Sequence, residues 1–165
     1  MEKLWAPWRM EYIGQPCQDG CIFCLPEERE QDEQRLILHR SEHAFIIMNK
    51  FPYSNGHLMV APYRHTVDMS SLSTEEVLDM HQLLIRCQAV LQKTFNPQGF
   101  NVGINLGRDA GAGVIDHLHQ HIVPRWQGDT NFMPLFADVR VIPQHLEKTY
   151  AILFAEFQGG THETA

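Results

Sequence analysis

Three histidines separated by single residues stand in the segment Asp116-His117-Leu118-His119-Gln120-His121-Ile122-Val123-Pro124-Arg125-Trp126. In an extended strand alternate side chains share a face, so His117, His119 and His121 line one side at steps of about 7 Å. Leu118 and Ile122 then turn to the other side, toward a core. Three surface imidazoles without a task are a poor account of such a row. Imidazole ligates metals, zinc prominently. It is also a nucleophile toward phosphorus, where a covalent phosphoramidate divides one hard displacement into two easier ones.

The surroundings favour phosphorus. Gly107-Arg108-Asp109-Ala110-Gly111-Ala112-Gly113 comes shortly before the row. Such a loop lets backbone N–H groups approach phosphate oxygens without side-chain obstruction. No Gly-Lys-Ser/Thr follows, so this is not a Walker A loop, nor is it a dinucleotide fingerprint. Upstream, Cys21-Ile22-Phe23-Cys24 is a CxxC pair preceded by Gly20. Zinc takes four ligands, so two more are needed. A thioredoxin-like redox pair would need a βαβ setting, which the Gly- and Pro-rich neighbourhood does not suggest.

Elements must position these groups. Phe45 to Asn49 and His57 to Ala61 read as strands, joined through the turn-like Pro52-Tyr53-Ser54-Asn55-Gly56. Ser73-Thr74-Glu75-Glu76 is a capping-box pattern that opens a helix. Val77, Met80, Leu84, Cys87, Leu91 and Phe95 recur at helical spacing and form its apolar face. Cys87 on that face reads as a core thiol. The helix ends near Asn96-Pro97. Phe100 to Asn105 is predicted as a strand, Gly107 to Gly113 as a loop, and His117 to Val123 as a strand ended by Pro124. Pro143 opens a second helical pattern through Leu146, Tyr150, Leu153 and Phe157. The stretch from Pro26 to Arg35 is solvated or a short helix. Strands joined mostly by loops, with a helix between two pairs, predict an α+β domain with a largely antiparallel sheet of about five strands.

The chain has 165 residues with 44% hydrophobic residues, enough for one domain with a real core. That domain is expected to span 1–165, with an irregular Trp/Pro/Gly-rich arm over 1–25 and a frayed tail over 159–165. The formal net charge of −7 argues against a broad nucleic-acid face, while a small nucleotide needs only a pocket. Neither a signal peptide nor a membrane-length apolar run is apparent, so the expectation is a cytoplasmic protein that binds no membrane. Its four cysteines then point to metal or thiol chemistry before disulfides.

His-x-His-x-His followed by two apolar residues resembles the signature of the histidine-triad superfamily of nucleotide hydrolases and transferases. The likeness extends to Asn49, Gly56-His57-Leu58, Pro62, Arg64, His65, Asn105 and the glycine loop. Trp5-Ala6-Pro7-Trp8-Arg9, Pro124-Arg125-Trp126 and Gly128-Asp129-Thr130-Asn131-Phe132 are similar to the branch of diadenosine tetraphosphate phosphorylases and their relatives. The resemblance implies that His119 attacks the α-phosphorus, with its other nitrogen held by the carbonyl of His117. It implies that His121 and His57 donate to phosphate oxygens, and that Asn49 binds the ribose. Asn105 and the loop backbone at Gly111, Ala112 and Gly113 would hold the phosphate. It further implies a structural zinc on Cys21, Cys24, His65 and His117. By residue type, Cys17 is an alternative as substitute ligand, and His39 and His43 are alternatives as third ligand. No organic cofactor is implied; the partners are a nucleotide substrate and a second copy of the chain in a homodimer. Phosphate or water could release the nucleotide. Two alternatives stay open: a nucleoside phosphoramidate hydrolase, and a non-catalytic zinc-stabilised nucleotide-binding module.

Overall fold

Five strands and two helices frame the computed structural model, which describes residues 20–129 and 145–159. The strands are β1 (Ile37–Arg40), β2 (Ala44–Met48), β3 (Leu58–Pro62), β4 (Gly99–Ile104) and β5 (Gln120–Arg125). The helices are α1 (Thr74–Phe95) and α2 (Leu146–Gly159). Every strand pair is antiparallel, in the order β1-β2-β3-β5-β4. The α+β class and the five-strand sheet agree with the sequence. The expected Trp-rich arm, Cys17, Thr130 to Phe132, Pro143 and the last six residues lie outside the described residues.

Helix α1 begins where the pattern places it. The Ser73 hydroxyl accepts the Glu76 N–H, and the Glu76 carboxylate accepts the Ser73 N–H. A cap of this kind is worth about 1 kcal/mol. Glu76 also accepts Arg64 Nε at 2.8 Å, which ties the loop after β3 to the helix start. The helix stops at Asn96, in the left-handed region at φ 47°, because Pro97 disfavours helical backbone in the residue before it. Met80, Leu84, Cys87 and Leu91 are buried as expected, and Leu83 and Val90 join them. Val77 does not: it is 51% exposed. Leu83 and Val90 pull the buried stripe to one side, and at about 100° per residue Val77 falls at its margin.

The five pairs from Ala44↔Pro62 to Met48↔Leu58 fix the register of β2 and β3, and alternation then assigns the two faces. Ile46, Met48, Leu58, Val60 and Ile122 pack with both helices in one core. Ile47, Met59 and Ala61 turn the other way and pack with Phe23 of the CxxC segment. Helices therefore cover one face of the sheet, and the cysteine knuckle covers the other.

Two expectations need correction. The histidine row is not one strand: β5 starts only at Gln120 and runs through Pro124 to Arg125. Before it, the Leu118 N–H donates to the Thr66 carbonyl at 2.6 Å instead of joining a ladder. Pro124 is tolerated because β3 pairs no further than Ile122, leaving Pro124 beside β4 alone. Leu118 is buried, but belongs to neither main cluster. Strand β1 escaped the sequence reading, and the stretch from Pro26 to Arg35, expected as solvated or a short helix, is largely exposed, with turns over 30–35. Arg40 anchors those turns through Asp32 and the Pro26 carbonyl.

Candidate active site

Cys21, Cys24, His65 and His117 converge, with one donor atom from each lying within 4.8 Å of all the others. The Cys21 Sγ to His117 Nδ1 distance is 3.3 Å, Cys24 Sγ to His65 Nδ1 is 3.2 Å, and Cys24 Sγ to His117 Nδ1 is 3.9 Å. Sulfur and nitrogen ligands around one tetrahedral ion stand roughly 3.5 Å apart, given metal bonds near 2.3 and 2.05 Å. The spacing therefore fits a four-coordinate ion. His117 is also prepared for the task. Its Nε2–H donates to the Pro62 carbonyl at 2.8 Å, so the lone pair stays on Nδ1, facing the sulfurs. His39 is drawn elsewhere: its Nε2 accepts from Arg86 at 2.9 Å.

The same bookkeeping of protons fixes the tautomers of the other imidazoles. The His119 Nδ1–H donates to the His117 carbonyl at 2.8 Å, which leaves the lone pair on Nε2. The Tyr53 N–H donates to His57 Nδ1 at 3.1 Å, and the Asn49 amide does so at 3.3 Å. His57 therefore carries its proton on Nε2 and gives it to His121 Nδ1 at 2.9 Å. His121 in turn carries its proton on Nε2, a buried donor with no partner among the described residues. One nucleophilic lone pair and one unpaired N–H thus come from adjacent rings, whose centroids are 4.8 Å apart.

Burial favours the neutral form of His119 and His121. It is the largest influence lowering the pKa of His119, opposed by the bond to the His117 carbonyl. Burial, and then the neighbouring His119, push His121 down to about 4. Burial likewise dominates the downward shift of His117 and the upward shift of the Cys21 thiol. A neutral imidazole is the form that can attack, because protonation would consume the lone pair.

The remaining candidates sit less directly. His57, expected as a donor to phosphate, has its Nε2 2.9 Å from His121 Nδ1 and so stands behind that ring in this structure. Asn49 lies beside His57, and its carbonyl oxygen accepts the Phe51 N–H at 2.9 Å. The glycine loop holds one 3-10 turn, Arg108–Ala110. Within it the Gly111 N–H donates to the Arg108 carbonyl and the Ala112 N–H to the Gly107 carbonyl. Two of the three amides expected to face phosphate are thus engaged inside the loop. Asn105 reaches the Gly111 carbonyl at 3.5 Å, bracing the loop. A cavity of about 280 Å³ beside His57 is lined by Met48, Lys50, Asn55 and Thr149 among others. Sequence reasoning missed two partners, the Tyr53 amide and the ring of Phe23. A backbone donor has no residue-type signature, and an apolar ring inside a CxxC pair reads as a spacer.

The HIT domain model matches residues 29–128, and the chain belongs to the HIT domain family. An AP-4-A phosphorylase of Mycobacterium tuberculosis is 34% identical, over 95% of this chain and 85% of that protein. An asymmetrical bis(5'-nucleosyl)-tetraphosphatase of Schizosaccharomyces pombe is 28% identical over 78% of this chain and 67% of its own. Among solved structures, a Zn-bound histidine triad family protein from Mycobacterium smegmatis matches with a TM-score of 0.60 at 28% identity, covering 74% of this chain and 84% of that one.

Proposed function

We propose that the protein is an enzyme that cleaves dinucleoside polyphosphates, diadenosine tetraphosphate foremost, through a nucleotidyl-histidine intermediate. The carrying observation is the proton arrangement: a lone pair on His119 Nε2 beside an unpaired N–H on His121 Nε2. The His119 lone pair forms an N–P bond to the α-phosphorus, and the P–O bond to the departing polyphosphate breaks. The leaving oxygen keeps that electron pair. The His121 Nε2–H stabilises negative charge developing on the phosphoryl oxygens. In the second step an oxygen of orthophosphate attacks the same phosphorus, the P–N bond breaks, and His119 regains its lone pair. The identity to a phosphorylase over most of the chain supports orthophosphate as acceptor; water in its place would make the enzyme a hydrolase.

Asn49 is proposed to bind the ribose, and Asn105 and the loop through Gly111, Ala112 and Gly113 to frame the phosphate. His57 is proposed as the residue that orients His121. Cys21, Cys24, His65 and His117 would hold zinc, supported by their spacing and by the Zn-bound relative. Such an ion would cross-link the knuckle to the sheet and supply no nucleophile. Two copies are proposed to pair through the edge strand β4, whose central Val102 is solvent-exposed. A cytoplasmic location is proposed; no helix among the described residues is long and apolar enough to cross a membrane.

The test is incubation with diadenosine tetraphosphate, with and without orthophosphate, and separation of products by ion exchange. ATP plus ADP, dependent on phosphate, is expected. AMP plus ATP without phosphate would replace the phosphorylase by a hydrolase. Absence of turnover in both would overturn the reading in favour of phosphoramidate substrates or of a binding module.

A further inference from the structure

Phe23 has no solvent exposure, although its neighbour Ile22 is half exposed. The Cys24 N–H to Cys21 carbonyl bond, 3.0 Å, closes a turn around these two residues. That turn points one side chain into the protein and the other out. The Phe23 ring lies 4.7 Å from the His119 ring, centroid to centroid, with 31° between the planes. It lies 5.4 Å from the His117 ring at 57° and 6.4 Å from Phe45 at 44°.

Ligation by a CxxC pair asks nothing of the residue between the sulfurs beyond a tight turn. The nucleophile does ask for something there. The bond from His119 Nδ1 to the His117 carbonyl fixes one atom of the ring and leaves it free to tilt about that contact. His121 meets the ring nearly edge-on, at 76°, and cannot set the tilt alone. The Phe23 ring, 4.7 Å away and inclined at 31°, limits that movement, because turning the imidazole away from it would lose dispersion contact and turning it closer would clash.

We propose that Phe23 is a positioning residue for the nucleophile: the cysteine knuckle presses its ring against His119 so that Nε2 stays aimed at the reacting phosphorus. The proposal rests on the reading of His119 as nucleophile. It gives the knuckle a second route to the reaction besides the His117 carbonyl. The two ends of the Cys21–Cys24 turn would hold the ion, and the middle of the same turn is the wall behind the attacking ring. Misdirected attack lowers the rate of the covalent step without weakening substrate binding.

Phe23→Leu keeps an apolar side chain of similar bulk and removes the flat face. Zinc content by atomic absorption, AMP affinity and the single-turnover rate of nucleotidyl-histidine formation from diadenosine tetraphosphate are measured on the zinc-loaded full chain. Expected are unchanged zinc and AMP affinity, with a covalent step slower by roughly tenfold to a hundredfold. In histidine-15N-labelled protein, the His119 Nδ1–H resonance, assigned by its loss in His119→Asn, should broaden in the leucine variant. If Phe23→Leu loses its zinc, Phe23→Met, which fills irregular gaps, takes its place. Unchanged rate and unchanged resonance in a zinc-loaded variant would overturn the proposal. A wild-type chain that forms no covalent intermediate would instead overturn the function, while the resonance still decides whether Phe23 holds the ring.

Discussion

The main-chain oxygen of His117 accepts the Nδ1–H of His119 at 2.8 Å, while the side chain of the same His117 faces Cys21 at 3.3 Å. One residue thus belongs to both sites. Its imidazole faces the sulfurs of the cysteine knuckle, and its carbonyl selects which nitrogen of His119 holds the lone pair. A Pro62 carbonyl on the far side of the His117 ring completes the chain. Disturbance at the cysteines therefore has a path of two hydrogen bonds, through His117, to His119, the proposed nucleophile.

Replacing His119 by Asn should abolish turnover and leave nucleotide binding within about a factor of three, because the amide cannot form the phosphoramidate but nearly fills the ring's place. Product assays alongside calorimetric titration with AMP check this. Turnover that survived the substitution would rule out His119 as the nucleophile.

Purified protein should contain about one zinc per chain, and Cys21→Ser/Cys24→Ser should contain none. Chelation of the wild type should lower its melting temperature, since the ion would link the knuckle, the loop carrying His65 and the segment before β5. Metal retained by the double variant would place the ion elsewhere.

Acid should weaken the fold through His121. Its pKa is pushed from 6.5 to about 4 by burial and by His119. Between those values the unfolded chain binds a proton that the folded chain refuses, so stability is full above the upper value and is lost as pH falls toward the lower one. Urea titrations from about pH 7 to pH 4 should show a steeper loss for the wild type than for His121→Asn, by roughly 2–3 kcal/mol at the acid end. Parallel curves would mean that His121 titrates as a free imidazole does.

Gly56→Ala should destabilise the protein by about 1–3 kcal/mol. Gly56 holds φ at +74°, and an added Cβ would meet Leu91 Cδ2 at 3.0 Å and the Phe95 ring at 3.2 Å. Equilibrium denaturation measures the cost, and a neutral result would mean that the loop before His57 relaxes freely.

The extent of what can be read without coordinates differs by element. The capping box at Ser73 and Glu76 and the stop before Pro97 were legible because each is a local rule met within four residues. The α+β class followed from the alternation of short apolar runs with one long helical stripe. The break in the histidine row was not legible. His-x-His-x-His has strand periodicity whether or not a neighbouring strand supplies a ladder, and here the partner of Leu118 is the Thr66 carbonyl. Strand β1 was missed because it is four residues long, Ile37–Arg40, and two of them are polar.

The sequence by itself determined which chemistry is available: imidazoles at alternate positions, two thiols on a tight turn, a glycine loop and a helix to back them. These depend on residue type and on spacing along the chain, which the order of residues states outright. Only the tertiary structure decided the direction of each proton, the pairing of His57 with His121, the inward turning of Gly111 and Ala112, and the contact of Phe23 with His119. Those depend on carbonyls, amides and ring planes brought together from segments far apart in the chain, 96 positions in the case of Cys21 and His117. Hydrogen bonds and ring contacts act over a few ångströms, so they are set by the fold that makes distant residues neighbours.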